Sequence, residues 1–126
     1  MNLTRNELQV MDIFWNTTEP LSRAALLKKA EEQTWKPNSV HILINSLLKK
    51  GALREAGFTR SGKTYGRTFV AAMTCDQYYA NTIVSSKTIP SIPGLLGALL
   101  DTADLSAEQL EEMEAVCRAK RESLSK

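Results

Sequence analysis

The residues best suited to chemistry lie between Lys36 and Lys50. If this stretch is helical, Asn38, His41, Ile42, Asn45 and Lys49 share one stripe. An asparagine amide offers a donor and an acceptor side by side, which matches the edge of an adenine. An apolar side chain such as Ile42 can meet a thymine methyl. Lys49 carries the charge that a phosphate needs, and His41, the only histidine, can reach a base or a phosphate. Ser39 falls in the first turn, where unpaired backbone amides favour an anion. The opposite stripe, Val40, Leu43, Ile44 and Leu47, recurs at core-facing spacing. Any amphipathic helix has a polar face, but such faces are usually rich in glutamate, and no acid occurs from Lys36 to Lys50. A second basic cluster follows. Arg60 and Lys63 flank Gly62, with Arg67 further along, making a cationic, glycine-loosened tip suited to a phosphate backbone.

Other chemistries lack their residues. His41 has no second imidazole to share a metal, and Cys75 and Cys117 lack the paired spacing of a zinc site. No glycine-rich phosphate loop occurs, nor a nucleophile with a nearby base. Glu111, Glu112 and Glu114 read as a solvated helix face. The expectation is therefore no catalytic residues, no metal and no cofactor.

Charge is divided along the 126 residues. Met1 to Met73 holds 11 Lys/Arg against 6 Asp/Glu, whereas Thr74 to Lys126 holds 5 against 8. A basic block joined to an acidic one suggests a nucleic-acid surface attached to something else. No apolar run approaches the roughly 18 residues of a membrane span, and the first residues lack the layout of a secretory signal. The expectation is a cytoplasmic chain with no membrane insertion.

The elements that must position these residues are announced by their caps. Thr4-x-x-Glu7, Thr74-x-x-Gln77 and Ser106-x-x-Gln109 are capping boxes. The first opens a helix with Leu8, Met11 and Trp15 at helical spacing, widened by Val10, Ile13 and Phe14. Ser22 caps a second helix to about Gln33, and Pro37 opens a third that ends at Gly51. Ala52 to Phe58 and Thr64 to Val70 read as strands joined by the loop Thr59 to Lys63, with Leu21 adding a short third strand. Later helices are expected from Thr74 to about Ser86, from Pro93 to Leu100, and from Ser106 to the C-terminus. Three helices and a hairpin make a winged helix.

The sequence also resembles a known family. Leu3-Thr4-x-x-Glu7-Leu8-x-Val10-Met11-x-x-x-Trp15 is similar to the opening of the penicillinase-repressor family of winged-helix regulators. Trp35-x-Pro37-Asn38-Ser39-Val40-x-x-Leu43-x-x-x-Leu47-x-Lys49-Lys50-Gly51 resembles its recognition helix, and Asp104-Leu105-Ser106-x-x-x-Leu110 the start of its last helix. The resemblance implies a homodimeric repressor of antibiotic-resistance or related stress operons, relieved by proteolysis through a membrane-bound sensor protease. The chain departs from the pattern in places. Lys36 replaces the usual serine before the proline, and Ser39-Val40-His41-Ile42 stands where resistance repressors carry a threonine- and arginine-containing reading face. Ala98-Leu99 stands where those repressors are cut at an Asn-Phe pair. The C-terminal cysteine cluster of a copper-responsive branch is absent.

The fold expected is mainly α with a small β-hairpin: a winged helix-turn-helix domain over 1–73 and a helical dimerisation region over 74–126. Leu95, Leu96, Leu99, Leu100, Leu105, Leu110, Met113 and Val116 are too rich an apolar set for a lone helical arm, so they are assigned to dimerisation. The function expected is repression by binding a palindromic double-stranded DNA operator as a homodimer. The rival is a winged helix that binds protein without specific DNA contact, against which the acid-free third helix argues.

Overall fold

Helix formation begins at Thr4. Its hydroxyl accepts from the Glu7 amide at 3.2 Å while the Glu7 carboxylate accepts from the Thr4 amide at 2.8 Å. This reciprocal cap starts α1 (Arg5–Trp15). The computed structural model describes residues 1–30, 35–61 and 64–125. A short strand β1 (Leu21–Ser22) leads into α2 (Arg23–Lys29), capped by the Ser22 hydroxyl. A 3-10 turn at Pro37–Ser39 runs into α3 (Val40–Lys50). The hairpin strands are β2 (Leu53–Ser61) and β3 (Thr64–Ala71), followed by α4 (Cys75–Val84).

Several boundaries differ from the sequence expectation. Ala30 is extended, so α2 stops at Lys29; the expected extension to Gln33 lies outside the described residues. Lys36 provides no side-chain cap, and Pro37 opens a 3-10 turn before α3 takes over. The strands run further toward the tip than expected. Thr59 pairs with Gly66, Arg60 with Tyr65 and Ser61 with Thr64, so Thr59 to Ser61 belong to β2 rather than to the loop. The antiparallel order is β1-β3-β2, with Leu21 opposite Phe69. A bulge lies between Glu55 and Gly57, and Gly57 takes φ +147°, which suits a residue without Cβ.

Packing joins these elements into a unit over Met1–Lys87. Val10, Met11 and Phe14 of α1, Leu26 of α2, Ile44 and Leu47 of α3, and Leu53 and Phe69 of the sheet are buried together, with Trp35 closing the cluster. Each such side chain contributes about 1.5–3 kcal/mol of burial. Where α3 must turn into the hairpin, Gly51 adopts φ +83°. The amides of Gly51 and Ala52 there close on the Leu48 and Leu47 carbonyls at 3.1 and 2.9 Å.

The unit continues past the division expected after Met73. The Trp15 indole N–H donates to the Met73 carbonyl at 3.0 Å. The Trp15 ring lies 5.6 Å from Tyr78 and 6.4 Å from Tyr79, and the two tyrosines meet edge to face at 5.1 Å. These rings fasten α4 to α1, with Tyr78 buried.

The second unit, Thr88–Lys126, holds α5 (Ile92–Thr102) and α6 (Ala107–Leu124). Ser91 caps α5, and Ser106 and Gln109 cap α6 reciprocally. The chain thus combines a winged helix domain with a helical region. No helix among the described residues is long and apolar enough to cross a membrane.

The aromatic fastening gives a test. Tyr78→Ala should destabilise the first unit by about 3 kcal/mol, the loss typical of a buried aromatic ring. Tyr79→Ala, at an exposed ring, should cost less than about 1 kcal/mol. Denaturant unfolding of the two variants would show the difference; equal losses would mean that Tyr78 does not anchor α4.

Candidate nucleic-acid interface

Of the predicted reading face, Asn38 lies in the 3-10 turn and His41, Ile42, Asn45 and Lys49 on α3, all exposed. Ile42 is 60% exposed although apolar, while Val40, Ile44 and Leu47 on the other side are buried and Leu43 is half-buried. The periodicity therefore divides the helix as expected. Ser39 is half-buried, and its hydroxyl makes no cap bond to the helix.

What ties α3 to α1 is Glu7, which local sequence marks only as a helix cap. Glu7 is 2% exposed. One carboxylate oxygen takes the Lys50 ammonium at 2.6 Å and the other accepts from the Ser46 hydroxyl at 2.6 Å. The Lys50 ammonium also donates to the Asn2 carbonyl at 2.8 Å. The start of α1 is thus tied to the last turns of α3. Burial alone would raise the Glu7 pKa, but the bonds from Lys50, Ser46 and the Thr4 amide outweigh it and hold the carboxyl at about 2, below its ordinary 4.5. The two neighbouring lysines consequently do different work. Lys50 is spent inside the chain, and Lys49 faces outward.

The wing's predicted residues are not equivalent either. Arg60 is exposed on β2 near the tip, and Lys63 lies outside the described residues. Arg67 sits further back on β3, its guanidinium 3.6 Å from the Glu55 carboxylate and 5.3 Å from the centre of the Phe69 ring. The structure therefore holds Arg67 to the sheet, away from the tip. Phe58 pairs with Arg67 across the strands and is an exposed aromatic ring, where the sequence pattern alone shows only a strand end.

An outward, acid-free helix face tied to α1 by a buried carboxylate, beside a two-stranded wing carrying Arg54, Arg60 and Arg67, has the character of a nucleic-acid-binding surface. The penicillinase repressor family model matches residues 3–119. The chain belongs to that family. Its members are DNA-binding transcriptional repressors, so membership agrees with the fold and with the character of this surface. No curated protein matches the chain. Among the described residues, no group of three or more acidic, histidine or cysteine side chains could hold a metal ion.

The lowered Glu7 pKa makes the clamp pH-dependent. A carboxyl at about 2 when folded and near 4.5 when unfolded stabilises the fold above pH 4.5, and that stability is lost as the pH falls toward 2. Glu7→Gln should therefore lower stability by about 3 kcal/mol at pH 7, and the deficit should shrink to near zero by about pH 2. Urea unfolding of both proteins across this range would measure it. A deficit independent of pH would rule out the ionised clamp.

Proposed function

We propose that the chain represses transcription by binding a palindromic operator as a homodimer in the cytoplasm, with α3 reading bases and the wing holding phosphates. The observation that carries this is the α3 face: Asn38, His41, Ile42, Asn45 and Lys49 point outward together, without an acid among them. His41, Ile42 and Asn45 are the groups that discriminate bases, and Ser39, Lys49, Arg60 and Lys63 supply contacts to the backbone, while Arg67 stays with Glu55. One such helix spans only a few base pairs, so two copies about one helical turn apart, roughly 10 base pairs or a multiple, are needed for a unique site.

The second copy is the partner that fits the far end of the chain. None of Leu95, Leu96, Leu99, Leu100, Leu105, Leu110, Met113 and Val116 is buried within the chain. That much unburied apolar surface on one small unit favours association. Family membership further supports relief by a stress or antibiotic signal, with a membrane-bound sensor protease as partner. Ala98 and Leu99 would then lie within α5 at the position of the family's cut.

Two experiments test this reading. Selection from a random DNA pool should enrich a palindrome. On that site His41→Ala or Asn45→Ala should cost about 1–3 kcal/mol and relax preference at particular base pairs. Arg60→Ala with Lys63→Ala should instead weaken all duplexes alike and flatten the log-affinity against log-salt slope by about two. No enrichment, or the same base preferences altered by both sets, would overturn the assignment. Separately, a chain ending at Lys87 should stay folded, sediment as a monomer and bind the operator orders of magnitude more weakly. A dimer from the shortened chain would place association in the winged unit.

A further inference from the structure

Among the described residues of the unit Met1–Lys87, the two most exposed large apolar side chains are Phe58, at 70%, and Ile42, at 60%. Ile42 lies on the outward face of α3, and Phe58 lies on the wing, in β2. A single exposed ring is ordinary on a protein surface. This one is set apart by what shares its side of the sheet.

Side chains two residues apart on a strand share a face, and so do directly opposed residues of neighbouring strands. Phe58 is opposite Arg67, and Arg67 is two residues from Phe69. Arg60 is in turn two residues from Phe58. Phe69 is buried with Ile44 and Leu47 of α3. The Phe58 ring and Arg60 therefore stand on the α3 side of the sheet, farther toward the wing tip. The other face carries Gly57, Thr59, Gly66 and Thr68, with no large side chain among them. Arg67, directly opposite the ring, is held by Glu55.

A ring with a cation beside it suits one part of a duplex. The minor groove is rimmed by phosphates and walled by deoxyribose, and at about 6 Å wide it admits a ring but not a helix. Its floor tells base pairs apart by one group. Every pair presents acceptors there, and G·C alone adds the guanine exocyclic amino donor. A phenyl ring has no acceptor to offer, so over a G·C pair it would bury that donor without a partner. We propose that Phe58 enters the minor groove beside the major groove that α3 occupies, with Arg60 on a flanking phosphate, and so makes the chain prefer pairs lacking that amino group. This rests on the DNA-binding reading above and adds a second groove, read by exclusion rather than by hydrogen bonds.

The test uses the full chain and two defined duplexes at low salt, poly(dI–dC) and poly(dG–dC). Inosine is guanine's counterpart without the exocyclic amino group, so the two major grooves offer α3 the same pattern. The chain should bind poly(dI–dC) about tenfold more tightly. Phe58→Ala should bind the two equally, with its log-affinity against log-salt slope unchanged, because no phosphate contact is lost. Arg60→Ala should keep the preference and flatten that slope by about one. Phe58→Leu, still bulky and apolar, should keep the preference too. Phe58 is exposed, so the fold should survive; if circular dichroism shows otherwise, Phe58→Thr removes the ring with a residue that favours strands. If the unaltered chain binds both duplexes equally, or loss of the ring leaves the preference intact, the minor-groove assignment fails and the DNA-binding reading stands. If the chain binds neither duplex, both fail together.

Discussion

The winged unit depends on one buried carboxylate. Glu7 caps α1, receives Lys50 and Ser46 of α3, and does so almost without exposure to water. An ion pair in such a place is costly to form, and a well-packed apolar pair could match it in stability. An apolar pair would not match it in direction. Greasy side chains tolerate sliding, whereas a carboxylate bonded at both oxygens accepts its donors along fixed lines. A helix proposed to read base edges needs close positioning, and the Glu7 bonds tie α3 to the start of α1.

The same clamp sorts the charges of α3. Lys50 turns to Glu7, whose carboxylate offsets its charge. Lys49, one residue away, keeps its charge at the surface beside Asn45 and His41. On the wing an equivalent sorting occurs. Arg67 is drawn to Glu55 and lies over Phe69, stiffening the base of the hairpin, while Arg60 lies nearer the tip. Lys50 and Arg67 therefore serve the shape of the winged unit.

The two units meet different physical requirements. The first closes a core of its own, from Val10 and Met11 through Leu47 to Phe69. The second is a pair of helices whose apolar side chains stay partly in water, which is too little burial to be an independently stable fold. In the proposed dimer, association would relieve that exposure and double the DNA contact in one step. The aromatic group of Trp15, Tyr78 and Tyr79 places α4 with the first unit, so that unit ends after α4 and not before it.

The features decided by the sequence itself are those whose causes act over a few residues. Thr4, Thr74 and Ser106 form their caps with partners three positions away. Gly51 ends α3 through its own φ, and periodicity alone divides Ile42 from Ile44. Such bonds need partners only a few residues away, so they are legible in order and spacing. The partners of Glu7 lie 39 and 43 residues away at Ser46 and Lys50, and Trp15 reaches across 58 residues to Met73. No local pattern marks Lys50 as spent and Lys49 as available, Arg67 as held, or α4 as part of the winged unit. Those outcomes are settled only when packing brings distant segments together and burial makes each charge find a partner.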